Sequence, residues 1–299
     1  MIVVLGASGH TGNVVAQKLL AGGQQVRAVA RNAQHLQSLA AKGAQAATAD
    51  ATDSAALTKA FEGAQAAYVL IPPNPSVDDS AGYQNRVTDA IATAIRNARI
   101  QHVVALSSIG ADKPSGTGPV VGLHNLERKL NAIEGANVLS LRAGYFMENT
   151  LPQVNVIRSI GNVVGPFDPK VKFPLIATRD IGAAAADALL RRDFSGKTTH
   201  ELQGQRDIDH FEVASIIGKA IGKPSLGYVK APDEQLRPAF QQMGMSATFA
   251  GLLLEMAHAL NSGYMKALEP RSPANTTPTS FETFVNEQFV PAYRQQAAA

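Results

Sequence analysis

The 299-residue chain contains no cysteine. Without thiols there is no disulfide, no thiolate nucleophile and no cysteine-ligated zinc. Charge is also scarce. Only 17% of residues are charged, and 27 Lys and Arg against 24 Asp and Glu leave a formal net charge of +3. The basic residues are scattered, with neither a Lys/Arg run nor a basic stripe interleaved with aromatics, so no nucleic-acid partner is expected. No apolar run is long enough to span a bilayer, and no membrane partner is expected. A first apolar strand at residue 2 leaves no room for a secretory signal, which makes a cytoplasmic protein the expectation. Seven histidines (positions 10, 35, 102, 124, 200, 210 and 258) include no i, i+4 pair and no His-Glu-x-x-His pattern. His200-Glu201 and Asp207-x-Asp209-His210 have the residue types of metal ligands but read as loop and helix-cap positions, so no metal is expected. Gly-x-Ser-x-Gly, the nucleophile elbow, is missing too.

What is present is apolar and regular. Hydrophobic residues make up 45% of the chain, enough for one large α/β domain or a domain with an appended lobe. Ile2-Val3-Val4-Leu5 runs straight into Gly6-Ala7-Ser8-Gly9-His10-Thr11-Gly12. In such a strand-loop-helix the first glycine permits the tight turn, the second lets backbone approach a phosphate, and the third lets helix pack on strand. The helix N-terminus adds unpaired N–H donors and a partial positive charge. A dinucleotide is therefore expected on Gly6, Ser8, Gly9, His10, Thr11 and Gly12.

Strand-like and helix-like stretches alternate through the first half. Strands are expected at 2–5, 25–30, 44–49, 66–71, 102–106 and 138–142. Helices are expected at 11–20 (Val14, Val15 and Leu19 inward), from Asn32 to Gly43, at 55–61 capped by Asp53, at 81–97 and at 122–133. This alternation means βαβ units and a doubly wound parallel Rossmann sheet, α/β in class. Beyond Arg142 the pattern loosens. A helix is expected over 144–158 despite Pro152, a Gly/Pro/Lys loop over 161–174, helices at 180–191 and 211–220, and a short strand at 199–202. The domain division expected is 1–150 for the dinucleotide, with 176–205 returning to it, and 151–175 plus 206–294 as a smaller, mostly helical substrate lobe. Phe249, Leu252, Leu253, Met256 and Leu260 form one apolar stripe over 246–261, which reads first as core packing and second as a substrate-facing wall. The tail 295–299 is expected to be disordered.

The end of the second strand separates the two nicotinamide cofactors. An Asp or Glu there accepts from the ribose 2′-OH of NAD. This chain has Arg31, followed by Asn32 at a helix start, and a guanidinium suits the 2′-phosphate of NADP(H). The alternative is an ordinary surface arginine. Arg27 is a second candidate. Asp50, ending the third strand, is placed to meet the adenine amino group, and Ile71-Pro72-Pro73 to close over adenine and ribose or simply to stop the strand.

Gly6-x-x-Gly9-x-x-Gly12, Arg31, Ser107-Ser108-Ile109-Gly110, the helix containing His124 and Glu127, Arg142-Ala143-Gly144-Tyr145-Phe146-Met147-Glu148-Asn149 and Thr178-Arg179-Asp180-Ile181-Gly182 together resemble the NmrA-like branch of the atypical short-chain dehydrogenase/reductases. The resemblance implies a Rossmann domain, a smaller C-terminal lobe and a cleft between them. It also implies one of two functions, an NADPH-dependent quinone or dye reductase or a non-catalytic NADP(H)-sensing regulator.

One departure bears on the chemistry. Ordinary short-chain dehydrogenases use Tyr-x-x-x-Lys to pass a proton to the substrate. No Tyr lies between Tyr83 and Tyr145, so the helix after the fifth strand cannot carry that dyad. His124 and Glu127, three apart on one helical face, are expected to hydrogen-bond. His124 is then either a proton donor or a contact that orients the cofactor ribose. Arg128 is a further candidate for the missing lysine's ribose contact. Ser107, at the end of the fifth strand, is expected to hydrogen-bond a substrate oxygen. Tyr145 and Phe146 either approach the nicotinamide or pack at the lobe junction. A quinone or electron-poor dye gives a stabilised anion that water protonates later, so a missing acid points to easily reduced acceptors. The partner expected is thus a small molecule, with a homodimer left open.

Overall fold

The computed structural model describes residues 1–295. Gln295 ends the last helix, and residues 296–299 of the tail expected to be disordered lie outside the described residues.

The first half alternates as expected through β1 (Ile2–Leu5), α1 (His10–Ala21), β2 (Val26–Ala30), α2 (Gln37–Ala40, after a 3-10 turn), β3 (Gln45–Thr48), α3 (Ser54–Phe61), β4 (Ala66–Val69), α4 (Ser80–Ala98), β5 (His102–Ser108), α5 (Val121–Asn131) and β6 (Asn137–Ala143). Asn32 and Asp53 accept backbone N–H bonds at the helix starts they were expected to cap. The strands form one seven-stranded sheet in the order β10-β6-β5-β4-β1-β2-β3, with β10 (Lys197–Leu202) on the β6 edge and every neighbouring pair parallel. Strand order reverses between β1 and β4, and ligands of open α/β sheets bind at such a switch point.

The inner strands β1, β2, β4 and β5 bury both faces, as a sheet covered by helices on both sides requires, while the edge strands β3 and β10 are largely exposed. Val3 and Leu5 face a core with Leu57, Phe61, Ile91 and Ile95 from α3 and α4. Ile2 and Val4 face the opposite core with Val15 and Leu19 of α1 and Ile181 and Leu189 of α7 (Thr178–Arg191). Val14 is only half-buried, at the edge of that helix face.

Past β6 two expectations are corrected. Residues 144–158 are not one helix. Tyr145–Phe146 is strand β7, a 3-10 turn covers Met147–Thr150, and α6 begins only at Gln153, with Pro152 as its cap. A proline lacks the N–H of a helix interior but is tolerated at its start. The 161–174 loop contains β8 (Val163–Gly165) and the first residues of β9 (Phe173–Ile176). β9 pairs with both β7 and β11 (Asp207–Ile208), and β8 pairs with β12 (Tyr228–Lys230). Strands of two to four residues are too short to show a period. The remaining helices are α8 (His210–Ala220), α9 (Asp233–Gln242), α10 (Ala247–Asn261), α11 (Phe281–Phe284) and α12 (Val290–Gln295). They enclose a separate core around Met147, Ile157, Phe167, Phe173, Ile217 and Phe284. Between α10 and α11, residues 262–280 cross back to the sheet as a strap without helix or strand.

Candidate functional site

The carboxyl ends of β1, β2, β4, β5 and β6 open on one cavity of about 700 Å³. At its centre lies the glycine loop. Gly6 adopts φ +70, a conformation that favours glycine, and Gly9 N–H donates to the Gly6 carbonyl at 2.9 Å. A Cβ on Gly12 would sit 2.3 Å from that same carbonyl oxygen, so α1 approaches β1 as closely as it does only because residue 12 is glycine. Gly9 caps α1 with no side-chain hydrogen bond, and the first turn has no acidic residue. The N-terminal amides and the helix dipole are thus presented to the cavity, with room above them. These residues fit a pyrophosphate. Thr11 joins them, and its Oγ1 accepts from the fully buried Tyr68 hydroxyl at 2.9 Å.

At one end of the cavity stands Arg31, exposed, on the wall and without an ion pair among the described residues. Ile71 and Pro72 line the same end, and the Tyr83 hydroxyl donates to the Pro72 carbonyl at 2.9 Å. Asp50 is not on the wall, which its neighbours Ala49 and Ala51 supply. Its carboxylate accepts from the Thr52 hydroxyl and amide at 2.7 and 2.8 Å. Those bonds, with Arg31's charge adding to them, hold it below the usual carboxylate range. Arg27 is turned elsewhere and donates to the Ala60 and Glu62 carbonyls, tying β2 to the end of α3.

The other end is apolar. Ser107, Ser108, Tyr145, Phe146 and Asn149 line it from the sheet side, and Phe249, Leu253 and Met256 of α10 from the lobe. The α10 stripe, read first as core packing, therefore faces the cavity over most of its length. Leu260, also on the wall, is the member that merges with the lobe core, whereas the Leu252 carbonyl packs against Gly118. The strap closes this end with Met265, Lys266 and Ala267. Tyr145 packs edge-on against Phe167 and Phe173, with centroids 5.4 and 5.6 Å away. Burial pushes its hydroxyl up to about 12, partly opposed by a hydrogen bond with Asn149, so near neutrality it is a phenol and a donor.

The His124–Glu127 hydrogen bond is not formed. Nδ1 of His124 lies 2.9 Å from the Ala111 carbonyl, and neither His124 nor the exposed Arg128 is on the cavity wall. Glu127 instead accepts from Ser107 Oγ at 2.5 Å and from Arg142 Nε and Nη2 at 3.0 and 2.7 Å. Several buried carboxylates have structural partners that were not assigned from the sequence. Glu127 is one. Glu148 accepts from the Thr178 amide and hydroxyl at the start of α7. Glu201 accepts the Leu268 and Glu269 amides of the strap, each at 2.9 Å. Glu148 and Arg142 stand inside a motif already noted, but the partners of Glu127, Glu148 and Glu201 lie 15 to 68 residues away.

Residues 1–284 match the family model described as the NmrA-like family. The chain belongs to that family. Quinone oxidoreductase 2 of Escherichia coli is 29% identical over 262 residues, covering 85% of this chain and 86% of that protein. Triphenylmethane reductase of Citrobacter sp., crystallised with NADP(H), superposes with a TM-score of 0.80 at 19% identity, covering 97% of this chain and 100% of that one. NmrA, a negative transcriptional regulator crystallised with NADP, superposes at 0.67 with 17% identity, covering 99% and 96%. The relatives and structural neighbours thus include named reductases and a named regulator, and the solved structures share one fold with this chain.

Proposed function

We propose that this chain is an NADPH-dependent oxidoreductase whose acceptor is a conjugated molecule such as a quinone or an azo or aryl dye. The observation that carries the reading is a single cavity. It runs from an uncapped, glycine-lined helix N-terminus to a wall of Phe249, Leu253, Met256 and Met265, with no Tyr-x-x-x-Lys dyad beside it. Gly6, Ser8, Gly9, His10, Thr11 and Gly12 hold the pyrophosphate of NADP(H). Arg31 takes the 2′-phosphate, as a guanidinium with no other partner among the described residues is suited to do. Ile71 and Pro72 cover the adenosine end, and Asp50 shapes the turn beside it through Thr52. Ser107, Tyr145 and Phe146 face the nicotinamide end. When bound, NADPH supplies the hydride. Residues 1–150 and 176–205 bind it, and the lobe supplies the acceptor wall. An apolar enclosure excludes water and holds a flat acceptor in place, which is most of what an easily reduced substrate needs. Tyr145 offers an O–H donor to an acceptor oxygen, and His124 positions the turn at Ala111.

The missing dyad also favours a second reading, an NADP(H)-sensing regulator that never turns over. The two separate in one assay. Purified protein is mixed with NADPH and a panel of quinones and aryl dyes, and the nicotinamide absorbance is followed. Protein-dependent loss of NADPH with at least one acceptor is expected. Tight NADPH binding with no turnover on any of them would overturn the enzyme reading and leave the sensor.

A further inference from the structure

Ser107, Arg142 and Glu201 stand in register across β5, β6 and β10. Glu127 meets this row from α5, and the contact is shielded. The side chains of Glu127 and Arg142 are 7% and 14% exposed. Both carboxylate oxygens of Glu127 take N–H bonds from the Arg142 guanidinium, and Oε1 also lies 2.5 Å from Ser107 Oγ. A carboxylate clamped in this way by a permanent cation acts as an acceptor only. A serine hydroxyl has one proton and two lone pairs. The Ser107 proton is committed to Glu127, so its oxygen has only lone pairs left for the cavity it lines.

We propose that Glu127, held by Arg142, fixes Ser107 as a hydrogen-bond acceptor at the floor of the cavity, so that this point selects a ligand group carrying an O–H or N–H. From sequence Ser107 was expected only to hydrogen-bond a substrate oxygen, with no direction given. A quinone carbonyl cannot use such a serine. The hydroxyl of the hydroquinone formed from it can, and so can the carboxamide or a ribose hydroxyl of a nicotinamide dinucleotide. The inference rests on the reading of the cavity as a dinucleotide and acceptor site. Glu127 and Arg142 are positioning residues here, acting through Ser107.

Titration calorimetry on the full chain tests it without requiring turnover. The probes are NADPH, a simple quinone and its hydroquinone, and the variants are Ser107→Ala and Glu127→Gln. Ser107→Ala keeps the fold, as its thermal midpoint will show. It is expected to weaken binding about five- to tenfold for NADPH if the donor belongs to the dinucleotide, or for hydroquinone if it belongs to the reduced acceptor. Quinone binding stays unchanged. Glu127→Gln removes the anionic acceptor that holds the serine proton, so quinone should gain on hydroquinone. An unchanged affinity of Ser107→Ala for both donor-bearing probes overturns the inference, as does equal weakening of quinone and hydroquinone. Donor-selective binding without NADPH oxidation removes the enzyme reading alone. Turnover with Ser107→Ala binding all three probes like the parent removes this inference alone.

Discussion

At the scale of single residues, the sharpest test falls on Arg31. Its guanidinium is exposed on the cavity wall and no carboxylate claims it among the described residues. Arg31→Asp replaces a phosphate partner with a group suited to a ribose hydroxyl. The expected result is at least about tenfold weaker NADPH binding with NADH binding spared, a cost of about 1.4 kcal/mol or more. Equal loss of both, read by fluorescence titration, would make Arg31 structural. His210 is a second residue with a defined prediction. Its ring stacks on Phe167 at 4.7 Å and packs by Tyr228 at 4.8 Å, and Nδ1 has no hydrogen-bond partner among the described residues. Burial pushes its pKa down to about 4, against a smaller opposing effect of Asp209. The unfolded chain, with an ordinary histidine near 6.5, therefore takes up the proton first. The contribution is intact above about pH 6.5 and is lost as the pH falls toward 4, by on the order of 3 kcal/mol. In His210→Phe this part of the acid sensitivity should vanish from urea midpoints measured across that range. His210 was visible in the sequence only as a cap neighbour of Asp209, because its cage comes from β8–β9 loop residues and β12, which no local pattern brings together.

At the scale of elements, the packing of α7 on α1 places the glycine loop. A Cβ on Gly182 of α7 would sit 2.7 Å from Val14 Cβ and 2.8 Å from the Thr11 carbonyl oxygen. A Lys18–Asp187 ion pair at 2.9 Å joins the same helices further along. Gly182→Ala must push the two apart at the first turn of α1, where the phosphate donors lie. We expect a loss of about 1–3 kcal/mol in denaturant unfolding, accompanied by weaker NADPH binding. A variant with parental stability and affinity would show that the helices absorb the methyl. The α1 and α7 segments were both readable in the sequence, since each carries its own period, but their contact was not. Gly182 stood only as part of a motif. The first half was readable for a physical reason. Each βα unit there ends in its own local signal, such as Gly22-Gly23, Asn32 or Asp53, and needs nothing from afar to be recognised. Past β6 the elements are decided by distant partners. Tyr145–Phe146 extends because Leu175–Ile176 pairs with it, and Val163–Gly165 because Tyr228–Lys230 does. A two-residue strand stabilised from thirty positions away leaves no period to read.

At the scale of the molecule, the cofactor half of the cavity follows from strand order and could be anticipated once the βαβ pattern was seen. The acceptor half could not. It is assembled from α10 and the strap, and it depends on carboxylates whose partners are set by sheet register rather than by spacing along the chain. The strap has a further consequence. Near one end Glu201 of β10 grips the Leu268 and Glu269 amides, and at the other Asp180 of α7 grips the Thr279 amide and hydroxyl at 2.9 and 2.7 Å. Both grips belong to the sheet half of the molecule, while the strap walls the opposite end of the cavity. The two halves are therefore laced together across the mouth, and swinging them apart like a clam would tear two buried carboxylates from their amides. Between the anchors Arg271 and Asn275 are themselves bonded to Gln203 just past β10, so ligand traffic is left to the stretch ahead of the first anchor, where Met265, Lys266 and Ala267 stand on the wall. The rate at which a product leaves becomes a property of those three residues, and substitution of the exposed Lys266 reads it.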